Sequence, residues 1–183
     1  MEPRIKEAKQ GKRVLYFIDA SHFVYASFIG SLWCFARLFI KSPAGRQRFN
    51  VLGALNPITL NIVTVMNITY VNALTVCELM RKIAILHKDI PVTFVLDNAR
   101  YQRCKLVIGE AEKLGIELLF LPPYSPNLNL IERLWKFVKK KCLYSKYYEN
   151  FDLFKSAIME CLSNKEPYKE ELKTLITTNF QTF

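Results

Sequence analysis

The sequence predicts an α/β fold on a mixed sheet: an antiparallel meander passing into parallel strands, with helices on both faces. Three observations carry this. Strand-like runs joined by short connections come first in the chain. Apolar residues then recur at helical spacing. Last come two nearly continuous apolar runs, PVTFVL (91–96) and IELLFL (116–121), with a helix-like segment between them. Strand, helix and strand in that order suit parallel strands buried on both faces.

The first twelve residues, MEPRIKEAKQGK, read as a tail or linker remnant ahead of one domain spanning 13–183. RVLYFID (13–19) is rich in Val, Ile and aromatics, so it is a strand that ends at Asp19. Residues 31–40 and 49–55 are the next strands. KSPAGRQR joins them, and its Pro43 and Gly45 mark a hairpin tip. Residues 60–66 form a further strand. A helix over 73–88 follows from Leu74, Val76, Leu79, Met80, Ile83 and Leu86. The helix over 103–114 is stopped by Gly115. Helices are also predicted over 130–143, 151–163 and 168–178.

The chain has 183 residues, 51% hydrophobic and 23% charged. That is the size of one domain that folds without a disulfide or metal staple, and it excludes a disordered polymer. Twenty-six Lys and Arg against sixteen Asp and Glu give a net charge of +10 and a pI near 9.4. Such a balance invites a polyanion, nucleic acid first. The five cysteines (Cys34, Cys77, Cys104, Cys142, Cys161) are widely spaced, which argues against a zinc site and for reduced thiols. No apolar core of the signal-peptide kind precedes Arg13. The apolar stretch 58–76 is interrupted by Asn61, Thr64, Asn67, Thr69 and Asn72, which argues against a membrane span. No Gly-x-Gly-x-x-Gly or phosphate-loop lysine motif occurs.

Three carboxylates stand at the edges of these elements: Asp19, Asp97 at the end of PVTFVLD, and Glu132 in the first turn of a helix. Carboxyl ends of neighbouring strands converge at one sheet edge, and a helix across that edge can deliver Glu132. Clustered carboxylates repel one another unless a cation offsets them. Mg²⁺ suits hard oxygen ligands, and two such ions support phosphodiester cleavage and transfer. Each residue also has a local reading: a turn at Asp19, an Asx turn at Asp97–Asn98, and an Asn129–Glu132 capping box.

FIDASHF, FVLDNARYQ and LPPYSPNLNLIERLWKFVKK resemble the catalytic domain of mariner-like transposases of bacterial insertion sequences. These belong to the Asp-Asp-Glu transposase and integrase superfamily with a ribonuclease-H-like fold. Thirty-four residues separate Asp97 from Glu132, as is typical of that family. The resemblance covers residues 13–143. It departs at Ala20 and Asn127, where many relatives are acidic, and at Leu130, where many have Pro. It implies that Asp19, Asp97 and Glu132 are the catalytic metal ligands and that they bind two Mg²⁺ or Mn²⁺ ions. It also implies cleavage of double-stranded DNA at transposon ends and attack of the freed 3′-hydroxyl on target DNA. A homo-oligomer at the bacterial nucleoid in the cytoplasm follows by the same resemblance. So does a helix-turn-helix DNA-binding domain that is separate or missing. The alternatives are an inactive relic or regulatory subunit, and another nuclease of the same fold.

DNA contacts are expected around this centre. Asn98 and Arg100 follow Asp97. Arg133, Lys136, Lys139, Lys140 and Lys141 form a basic run, with Lys136 and Lys139 on the helix face of Glu132. Lys41, Arg46 and Arg48 form a second cluster at the hairpin tip. Lysines there grip phosphates without reading sequence.

Overall fold

The computed structural model describes residues 1–25, 35, 47–122 and 128–178. Among these the order is α1 (Glu2–Lys9), β1 (Val14–Tyr25), β2 (Gln47–Leu55), β3 (Ile62–Asn67), α2 (Ala73–Leu86), β4 (Val92–Leu96), α3 (Lys105–Leu114), β5 (Ile116–Phe120), α4 (Ile131–Cys142), α5 (Phe151–Ser163) and α6 (Lys169–Leu175). The five strands form one sheet in the order β3-β2-β1-β4-β5. β1, β2 and β3 pair antiparallel, while β1–β4 and β4–β5 are parallel. This is the mixed sheet that the pattern predicts, and it suits the ribonuclease-H-like fold that the resemblance implies.

Each face of the sheet carries its own core. On one, Tyr16, Ile18, Leu52, Phe94 and Leu96 pack under Val76, Leu79, Met80 and Ile83 of α2 and Val107 of α3. On the other, Leu15, Phe17, Val51 and Val95 pack under Ile131, Leu134, Trp135 and Val138 of α4, backed by Phe154 and Ile158 of α5. All five residues of β4 are buried, as its nearly continuous apolar run requires. Local signals set the helix ends. Asn72 and Thr75 form a reciprocal cap on α2, and Asn150 caps α5. Gly115 ends α3 at φ +65, a conformation that only glycine adopts without strain.

Two elements differ from the sequence reading. The initial segment is a helix, not a tail. Ile5 and Ala8 of α1 are buried in the α4-side core, and ion pairs hold α1 to the sheet. Arg4 meets Glu117 at 2.6 Å, and Arg13 bridges Glu7 at 2.6 Å and Glu117 at 3.0 Å. A two-residue apolar stripe among charges is too weak a pattern to announce a helix.

The first strand also runs on past Asp19 to Tyr25. Its polar residues Asp19, Ser21 and His22 hide the alternation that Ser21, Phe23 and Tyr25 complete by being buried. β2 pairs with this extension, from Phe17↔Leu55 to Tyr25↔Gln47. The strand predicted over 31–40 and most of the hairpin tip lie outside the described residues, Phe35 alone excepted.

Candidate active site

Register decides where the carboxylates stand. The β1–β4 ladder ends at Ile18↔Leu96, so Asp19 and Asp97 follow side by side where β4 stops and β1 continues. Residues two apart on a strand share a face. Asp19 therefore follows Leu15 and Phe17, and Asp97 follows Val95, onto the face that α4 covers. α4 brings Glu132 in its first turn.

Two side chains fix α4 on that edge. Asn129, 3% exposed, donates its Nδ2 to the carbonyl of Ile18 at 3.3 Å, the peptide just before Asp19. It makes no side-chain capping box with Glu132, and α4 has no side-chain cap. Trp135 donates Nε1–H to Oδ2 of Asp19 at 3.0 Å. The indole lies against Gly53, where an added Cβ would come within 2.6 and 2.8 Å of its ring.

Asp19, Ala20, Ser21, His22, Glu132, Trp135, Lys136 and Lys139 line one groove of about 320 Å³. Burial, then the charges of Asp97 and Glu132, push the Asp19 carboxyl up to about 7, although Ala20 and Trp135 hydrogen bonds oppose this. Burial also raises Glu132; Lys136 opposes that rise and Asp97 adds to it. The charge of Asp97 is thus felt at both Asp19 and Glu132. Tyr101, which the sequence reading missed, belongs to this neighbourhood. Burial, then Asp97 and Asp19, push its phenol up to about 12.

The donor set fits a hard divalent cation. Oδ1 of Asp97 is buried with no hydrogen-bond partner among the described residues, and such an orphan is costly unless a ligand satisfies it. Burial first, and the charges of Asp97 and Glu132 after it, raise the Asp19 carboxyl, and a bound cation would oppose both. As the side chains stand, no group of three or more His, Cys, Asp or Glu among the described residues is gathered closely enough to hold a metal ion.

The remaining predicted residues divide. Lys136 and Lys139 share the groove with Asp19 and Glu132. Lys136 also borders a second groove of about 620 Å³ between α4 and α6, with Lys140. Arg133 is turned inward, its Nη1 donating to the carbonyls of Leu175 and Thr177 at 3.2 and 3.3 Å. Lys141 pairs with Glu171 at 2.7 Å. Asn98 donates Nδ2 to the carbonyl of Leu121, which joins the ends of β4 and β5. Arg100 is exposed three residues beyond Asp97. Arg48 is exposed on β2 opposite Val24, next to the final Tyr25↔Gln47 pair of the β1–β2 ladder. Lys41 and Arg46 lie outside the described residues. No helix among the described residues is long and apolar enough to cross a membrane.

A family model described as DDE superfamily endonuclease matches residues 14–155. No curated protein sequence matches the chain. Among solved structures, the Mos1 strand transfer complex is similar at 15% identity and TM-score 0.66, over 100% of this chain and 60% of that one. The Mos1 mariner paired end complex with Mn is similar at 14% identity and TM-score 0.66, over 98% and 60%. The catalytic domain of Mos1 mariner transposase is similar at 14% identity and TM-score 0.65, over 96% and 81%. The chain thus spans 60% of the length of the full Mos1 chains. At these identities the likeness is one of fold.

Proposed function

The chain belongs to the DDE superfamily endonuclease family, and from that premise we propose that it is a transposase catalytic domain. It cleaves transposon ends in double-stranded DNA and joins the freed 3′-hydroxyl to target DNA. The observation that carries this reading is the register Ile18↔Leu96. It sets Asp19 beside Asp97 under the helix that bears Glu132.

Asp19, Asp97 and Glu132 are the residues that hold two divalent cations, Mg²⁺ or Mn²⁺. When bound, such ions stabilise the attacking and leaving oxygens of phosphoryl transfer. The chain's own residues supply the rest. Lys136 and Lys139 line the same groove and hold the phosphodiester backbone, which carries no sequence information. Asn129 keeps α4 against β1 through the Ile18 carbonyl, so Glu132 keeps its place opposite Asp19. The domain acts within an oligomer, with end recognition on a helix-turn-helix unit.

The test is a paired assay of the full chain with Mg²⁺. One arm follows nicking of supercoiled DNA. The other follows joining of a labelled duplex with a free 3′-hydroxyl to plasmid. Wild type performs both, and Asp97→Asn loses both by at least about 10²-fold, since removing one key electrostatic contact to the transition state costs that much. Full activity in Asp97→Asn would overturn the assignment. Cleavage without joining would make the domain a nuclease of the same fold.

A further inference from the structure

We infer that Cys142 and Cys161 form a dithiol that a peroxide closes to a disulfide, stapling α4 to α5. The inference needs neither a metal nor DNA, so it stands or falls apart from the transposase reading.

The packing of two helices brings these thiols together. Cys142 is the last residue of α4, and Cys161 lies near the end of α5. The Sγ of Cys142 is 3.5 Å from the carbonyl of Ala157 on α5. Ala157 stands four residues before Cys161, on the same helix face. The Cys142 thiol is also within hydrogen-bond reach of the Cys161 thiol. Tyr148, between the two helices, holds the crossing closed. Its hydroxyl donates to the Cys142 carbonyl at 2.6 Å, and its own carbonyl accepts from the Tyr25 hydroxyl at 2.9 Å. Cys142 is 4% exposed and Cys161 is more open, so a small oxidant reaches Cys161 first.

The two thiols are unlike in reactivity. The hydrogen bond from Cys142 draws Cys161 below the ordinary thiol range; burial opposes this and Lys141 assists it. The same hydrogen bond and burial raise Cys142. A lowered, more open thiol beside a raised, buried one suits an attacking and a resolving cysteine. Elsewhere, Cys77 is buried and raised by burial, and Cys104 spends its S–H on the Tyr101 carbonyl at 3.4 Å.

The step balances with a peroxide as the oxidant. The Cys161 thiolate attacks one peroxide oxygen, the O–O bond breaks, and hydroxide leaves to take up a proton as water. Cys161 is then a sulfenic acid. The Cys142 sulfur attacks the Cys161 sulfur, the S–O bond breaks, and the hydroxide departs with the Cys142 proton as a second water. Two thiols lose two electrons and the peroxide gains them. The staple ties the last turn of the helix that carries Glu132 to α5, and a thiol reductant frees it.

The test treats the reduced full chain with hydrogen peroxide in a chelator, alkylates the remaining thiols and maps the peptides by mass. The expected result is one linked Cys142–Cys161 peptide pair, reversed by dithiothreitol. Oxidation should raise the urea midpoint of wild type, because the cross-link constrains the unfolded chain. Cys161→Ser should abolish both the link and the rise. Cys142→Ala should leave Cys161 as a sulfenic acid that dimedone traps. Peroxide that leaves both thiols unlinked, or joins either to another cysteine, would overturn the inference. So would an equal rise in midpoint in Cys161→Ser.

Discussion

Gly53 and Asp19 are Cα partners in the β1–β2 ladder, and a side chain on the first would displace the indole that hydrogen-bonds to the second. Replacing a strand glycine with alanine by itself favours folding by roughly 0.5–1 kcal/mol. Contacts of 2.6 and 2.8 Å with a buried, rigid ring outweigh that, since overpacking costs about 1–3 kcal/mol. Gly53→Ala should therefore lower the unfolding midpoint in urea. A midpoint at or above that of wild type would show that α4 can retreat freely.

The raised Asp19 makes stability fall with pH in the cation-free chain. Its folded value is about 7 against an ordinary 3.8. Between those limits the unfolded chain has released the proton and the folded one retains it, so raising pH favours unfolding. The stability present below about pH 4 is lost progressively and is gone above about pH 7, a difference on the order of 4 kcal/mol. Glu132, also raised, acts in the same direction. Urea unfolding in a chelator across pH 4–8 should show this slope, and Asp19→Asn should flatten most of it. Mg²⁺ should stabilise wild type more at pH 8 than at pH 5, because ligands bind as carboxylates. A slope that survives in Asp19→Asn would assign it to other groups.

The basic residues of α4 separate by what they touch. Lys136 and Lys139 face the carboxylate groove. Alanine at either should weaken duplex DNA binding and reduce the slope of log K against log salt by about one. Arg133 holds the end of α6 through the Leu175 and Thr177 carbonyls. Arg133→Ala should lower stability, with the salt slope unchanged. Binding measured by fluorescence anisotropy from low to physiological salt decides. An equal slope change for Arg133→Ala would place its guanidinium on DNA.

Glu117 anchors α1. It accepts from Arg4, Arg13 and the buried Thr93. Glu117→Ala leaves Arg13 short of a partner and should cost about 1–3 kcal/mol, the penalty for a polar group left unsatisfied. Partial exposure of Arg4 and Glu117 puts the effect toward the lower end. Amide exchange should rise in α1 ahead of the sheet. Unchanged protection there would mean that burial of Ile5 and Ala8 alone docks the helix.

Much of the fold is legible in the chain because its signals are local. β4 and β5 announce themselves as nearly continuous apolar runs, α3 by Gly115, and α5 by its periodic apolar face. The segment that folds as α1 carries almost no such signal, since the ion pair that holds it runs from Arg4 to Glu117, 113 residues away. The far half of β1 is hidden by its polar residues Asp19, Ser21 and His22.

The site divides in the same way. By itself the sequence determined the candidate acids, the thirty-four-residue interval between the last two, and the lysines one and two turns beyond Glu132. These are matters of residue type and spacing along one chain. Only the tertiary structure decided that Asp19 lies mid-strand beside Asp97. It also decided that Asn129 serves the Ile18 carbonyl, that Arg133 turns inward, and that Trp135 grips Asp19 over a bare glycine. Those depend on strand register and on the pose of α4 against the sheet, which are set by contacts between residues far apart in sequence.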